Sequence, residues 1–98
     1  CKDFGQVQLC ASVSDGTPSQ YSTVTVYARY LVNSAPEAGH TMNTSWHYKT
    51  TTSHCSGTTG ADGIAYCSRK IGRATKGYRV NVDVEIDGHG VTTWFTPQ

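Results

Sequence analysis

The sequence is short of charge. Only 15% of its residues are Asp, Glu, Lys or Arg, and the formal net charge is +1. A balance so close to neutral leaves no basic footprint for nucleic acid or for an anionic membrane surface. Strong helix formers are scarce, with two Leu, one Met and two Glu, and no stretch repeats apolar residues at helical spacing. No apolar run approaches the length of a membrane-spanning helix. Gly-x-Ser-x-Gly and Cys-x-x-Cys are both absent, and no Ser/His/Asp set is placed by motif. The chain therefore reads as non-enzymatic. His40, His47, His54 and His89 match no zinc spacing. Asp83, Glu85 and Asp87 alternate along one strand rather than crowding a calcium-binding turn. No metal or other cofactor is expected.

What the sequence does have is β-forming residues, turn residues and cysteines. Thr, Ser, Val and Tyr are frequent, as suits pleated, half-buried strands. Ninety-eight residues make one domain, 1–98, with a modest core that covalent staples would help. Four cysteines in so short a chain point to an oxidising compartment, and the expectation is a secreted or cell-surface protein. The first residue is Cys1 rather than Met, which fits a removed leader or a trimmed chain.

Alternation of apolar and polar residues marks the strands. Val7, Leu9, Ala11 and Val13 share one face of a first strand, which Asp15-Gly16-Thr17-Pro18 turns. A long strand runs from Thr23 to Val32, with Val24, Val26, Ala28, Tyr30 and Val32 on one face. Residues 33–39 form a loop. Met42, Thr44, Trp46 and Tyr48 alternate in a central strand whose Trp46 fills the core, and Thr50–Ser53 continues it or frays from it. A turn over Gly57–Gly63 leads into Ile64–Ile71. The clearest alternation is Tyr78, Val80, Val82, Val84 and Ile86, and Asp87-Gly88 then supplies hairpin chemistry before a return strand over Val91–Thr96. About seven antiparallel strands with one wet face each predict an all-β sandwich, with a β-barrel as the structural alternative.

The run Thr59-Gly60-Ala61-Asp62-Gly63-Ile64-Ala65, with Gly77-Tyr78 opening a long alternating strand, resembles bacterial immunoglobulin-like domains of secreted and cell-surface proteins. The resemblance spans Ser22 to Pro97. It implies an immunoglobulin-like β-sandwich, disulfide-stapled here, of the kind that serves as stalk, spacer, adhesive unit or appended tail. Two departures stand out: Gly60 occupies a position where many members have Asp, and cysteines flank the hairpin. Tyr78 sits where such folds often have a tyrosine corner, whose hydroxyl ties down a loop.

Cys55 and Cys67 lie on either side of the Gly57–Gly63 turn, where a hairpin would set them opposite each other and within disulfide reach. Cys1 and Cys10 leave three readings open: a bond within the chain, a bond to Cys1 of a neighbouring molecule, or a lipid anchor on Cys1. Residues 1–8 read as an N-terminal extension able to add a strand to a neighbour's sheet edge. Outward Tyr27, Arg29, Tyr66 and Trp94 are the expected interaction surface. Arg69, Lys70, Arg73, Lys76 and Arg79 precede Asp83, Glu85 and Asp87, an asymmetry suited to head-to-tail contact. Asn43-Thr44-Ser45 is a glycosylation sequon placed in a strand. The leading expectation is a structural subunit of an extracellular surface or pilus-like filament, partnered by other copies of itself. The alternative is an adhesive or carbohydrate-binding module that meets surface glycans.

Overall fold

A computed structural model describes all of residues 1–98 and contains strands and turns but no helix. Nine strands occur in chain order: β1 (Lys2–Asp3), β2 (Val7–Val13), β3 (Thr23–Val32), β4 (Ala35–Pro36), β5 (Thr41–His47), β6 (Thr52–Thr58), β7 (Ile64–Lys70), β8 (Val80–Ile86) and β9 (His89–Phe95). They form two antiparallel sheets. Sheet A runs β1-β2-β3-β4, with β7 also paired to β3, and sheet B runs β6-β5-β8-β9.

Period-two alternation builds the core. On β3, Val24, Val26, Ala28 and Tyr30 point inward from sheet A. On β8, Val80, Val82, Val84 and Ile86 do the same from sheet B, side by side with Met42, Trp46 and Phe95 of the neighbouring strands. One hydrophobic cluster joins both sheets. Trp46 lies at its centre, fully buried, with its ring edge-on to Phe95 at 5.6 Å. Two-residue turns close two hairpins. Asn33 and Ser34 carry φ of 54° and 65°, and Asp87 and Gly88 carry 51° and 80°. Paired positive φ values match the right-handed twist of the flanking strands.

Four expectations change. The chain does not run on from β5 through Thr50–Ser53. Tyr48 N–H bonds to the Thr51 carbonyl, and a separate strand, β6, returns along β5. Its inward residues are Ser53, Cys55 and Gly57, too small to show as an apolar face. Gly57 is required there, because a Cβ would stand 2.3 Å from the Tyr66 carbonyl oxygen. The expected 33–39 loop folds back for two residues as β4, held by the Asn33-Ser34 turn. Tyr78 lies before β8 rather than in it; it is exposed, and its hydroxyl makes no hydrogen bond within the chain, so no tyrosine corner forms.

The fourth change concerns the hairpin expected around Gly57–Gly63. Cys55 is registered with Thr44 in sheet B, and Cys67 with Val26 in sheet A. The turn at Thr59–Gly63 carries the chain from one sheet to the other. The Cys55–Cys67 bond therefore joins the two sheets across their shared edge rather than bracing one hairpin.

Candidate functional site

Cys1 and Cys10 are bonded to each other within the chain. Cys10 faces outward on β2, and residues 2–3 fold back as β1, with Lys2 opposite Leu9 and Asp3 opposite Gln8. The N-terminal segment thus covers part of its own sheet edge, and the Cys1 sulfur is taken up by this bond. The two bonds together fit an oxidising, non-cytoplasmic compartment. No helix of the structure is long and apolar enough to cross a membrane.

The expected interaction residues divide between two faces. Tyr27 of β3 and Tyr66 of β7 are register partners on the outer face of sheet A, 40% and 64% exposed, with ring centroids 6.3 Å apart. Arg29 lies two residues along the same face, opposite both Ile64 and Cys10. An open hollow of about 430 Å³ is lined by the Cys1–Cys10 bond, Tyr27, Arg29 and Ile64. A second hollow beside it shares Tyr27 and Ile64 and reaches Tyr66 and Ala61. Together they make a continuous, mostly apolar strip. Trp94 is on β9, outward from sheet B, and so on the opposite face of the molecule. The Arg79 guanidinium sits 4.0 Å over its ring, an exposed cation–π contact that covers one indole face. The three aromatics therefore do not form one platform.

The charged residues are partly spent on internal contacts. Arg69 donates to the His54 carbonyl, and Arg73 donates to the Tyr21 hydroxyl. On the outer face of sheet B, Asp83 meets His47 at 2.8 Å and accepts from Thr92. Ser45 meets His54 at 3.1 Å. The histidine next to the serine is thus not the one next to the carboxylate, so no relay connects the three. No group of three or more His, Cys, Asp or Glu side chains is gathered as for a metal. The Glu85 and Lys70 side chains have no hydrogen-bonded or ionic partner within the chain.

A separate cluster at one end of the molecule was not foreseen. Asp87, in the β8–β9 turn, lies 2.6 Å from His40 Nδ1 and accepts a bond from the Tyr30 hydroxyl at 3.2 Å. The Tyr30 ring packs, tilted, against His40 with centroids 4.8 Å apart, and Phe4 likewise against His89 at 4.6 Å. These residues are far apart in sequence, and the signal available was the lone Tyr30 within an otherwise aliphatic face. Burial first, then the Asp87 charge, its hydrogen bond and Glu37, push the Tyr30 hydroxyl above the usual tyrosine value of 10.0. In the unfolded chain Tyr30 ionises first, so the folded form binds more protons and stability falls as pH rises through that window. Urea midpoints measured between about pH 9 and about pH 12 should fall more steeply for the parent than for Tyr30→Phe. Identical slopes would remove Tyr30 as the group responsible.

No protein-family model matches the chain, and no curated protein matches it.

Proposed function

We propose that this chain is an immunoglobulin-like β-sandwich acting as a non-enzymatic structural subunit of an extracellular surface or pilus-like filament, held by contacts between copies. Strand order supports the fold. Immunoglobulin domains place strands A, B and E in one sheet and C, F and G in the other. Here β2, β3 and β7 take the first set of positions, and β5, β8 and β9 take the second. The fourth long strand, β6, pairs with β5 instead of β7.

One observation carries the function: the long strands of the two sheets present outward charges of opposite sign, with Asp3 of β1 and the Arg79 guanidinium over Trp94 as the exceptions. Outward residues of β2, β3 and β7 include Arg29 and Lys70 and no carboxylate. Outward residues of β5, β6, β8 and β9 include Asp83 and Glu85 and no Lys or Arg. Sheet A of one copy laid on sheet B of the next pairs these charges and covers the exposed Tyr27–Tyr66 strip. Such a contact joins unlike surfaces, leaves both free on the end copies, and propagates.

Sedimentation velocity from micromolar to millimolar protein tests it. Average mass should rise with concentration at low ionic strength and fall back as salt screens the charges. Tyr66→Ser should weaken association about tenfold, as loss of a central interface aromatic does. A species of 10.6 kDa at every concentration and salt level would remove the proposal.

A further inference from the structure

We infer that the segment Cys1–Asp3 is exchangeable between copies of this chain, with the Cys1–Cys10 bond re-forming between molecules by thiol–disulfide exchange. The exchange does not depend on the face-to-face stacking proposed above, and the two fail separately.

Three features meet at this segment. First, little besides the bond holds it. β1 is two exposed residues with two register pairs, and Phe4, half-buried against His89, is its largest anchor. Second, the bond is reachable. It walls the open hollow beside Tyr27 and Arg29, and Cys1 is exposed. Cys67, by contrast, is buried between the sheets, and its partner Cys55 is half-buried. Third, the segment turns back through a three-residue loop, Phe4-Gly5-Gln6. There Gly5 has φ +81°, and Phe4 N–H bonds to the Val7 carbonyl at 2.7 Å. An extended linker needs no positive φ, so this turn is the hinge.

The receiving edge is the same in every copy. β2 pairs with β3 at all seven of its positions, but on its other edge only Gln8 and Leu9 have partners. The β1 of a second copy would meet the same backbone groups and the same Cys10. Contacts made in trans equal those made in cis, so the balance rests on concentration and on the hinge. The covalent step is redox-neutral. A small thiolate attacks the Cys10 sulfur, forming a mixed disulfide and releasing Cys1 as a thiolate. That Cys1 attacks Cys10 of a second copy, displacing the second copy's own Cys1. The displaced Cys1 attacks the mixed disulfide and returns the small thiolate, leaving two bonds between chains in place of two within them.

Mixing nitrogen-15-labelled and unlabelled protein with catalytic glutathione reads this directly. After alkylation, trypsin cuts at Lys2 and leaves the Cys1 peptide joined to the Cys10 peptide by their bond alone, and mass spectrometry counts light–heavy pairs. Half of the intermolecular Cys1–Cys10 pairs should be mixed, so the mixed share of all such pairs should rise with protein concentration towards about one half, with Cys55–Cys67 pairs unmixed. Gly5→Ala penalises only the folded-back turn and should raise the early mixed fraction about fivefold. Tyr66→Ser, which removes stacking, should leave the mixed fraction unchanged. No mixed Cys1–Cys10 pairs would overturn the inference. Equal mixing of Cys55–Cys67 would overturn it too, because global unfolding would then account for the exchange.

Discussion

Replacing Trp46 with alanine should cost this domain about 3–5 kcal/mol, the range for removing a large buried aromatic. The whole stability of such a domain is about 5–15 kcal/mol, so the variant stands near the edge of folding. Trp46 is fully buried on an inner strand of sheet B, between β6 and β8. Its ring meets Phe95 edge-on. Its Nε1 donates to the Thr44 hydroxyl at 2.9 Å, and that hydroxyl donates to the Cys55 carbonyl at 2.9 Å. Alanine would leave a cavity at the centre of the core and take a donor from a buried hydroxyl. Phenylalanine keeps most of the packing and loses the N–H, so its cost should be nearer 1–2 kcal/mol. Urea unfolding in the Trp94→Phe background, where Trp46 or its replacement is the sole variable, measures both. A midpoint for Trp46→Ala within a few tenths molar of its parent would show that the core does not depend on this residue.

Trp46 also shows how much of the fold was legible. Its strand could be read because large inward residues alternate with polar ones. The same holds for β3 and β2, whose observed bounds are Thr23–Val32 and Val7–Val13, and for Val80–Ile86. Strand β6 could not be read, because the space on its inner face is filled by a disulfide and by a close backbone approach at Gly57, neither of which needs an apolar side chain. Alternation did indicate which side chains of a strand face out. It placed Tyr27, Arg29 and Tyr66 correctly with respect to their own strands, and Trp94 as well. But side-chain parity belongs to a strand, not to a sheet, so it left open that Trp94 lies on the other face. The Asp87–Tyr30–His40 cluster depends on three connections meeting at one end, which no local pattern carries.

The seam between β6 and β7 gives the second large effect. Removing the Cys55–Cys67 bond by Cys55→Ala with Cys67→Ala should cost about 2–4 kcal/mol. Loop length alone would rank this bond close to Cys1–Cys10, whose sequence separation is 9 against 12. Native-state contacts separate them. A disulfide stabilises by restricting the unfolded chain, and its loss is felt in full only where the native fold still holds the two ends together. Without Cys1–Cys10, the two-residue β1 frays and recovers much of that entropy in the folded state, so Cys1→Ser with Cys10→Ser should cost less. Cys55 and Cys67 sit on strands that β5 and β3 continue to hold in place. β6 and β7 share no ladder of backbone hydrogen bonds with each other; the bond, the Arg69 contact to the His54 carbonyl and the close approach at Gly57 keep this edge shut. Once the bond is gone, the edge should open ahead of the core. Hydrogen exchange should then show β6 amides losing protection while those of β8, central in sheet B, keep theirs. If both pairs of substitutions cost the same, or if protection falls evenly across sheet B, the bond is a general tether and not a clasp between the sheets.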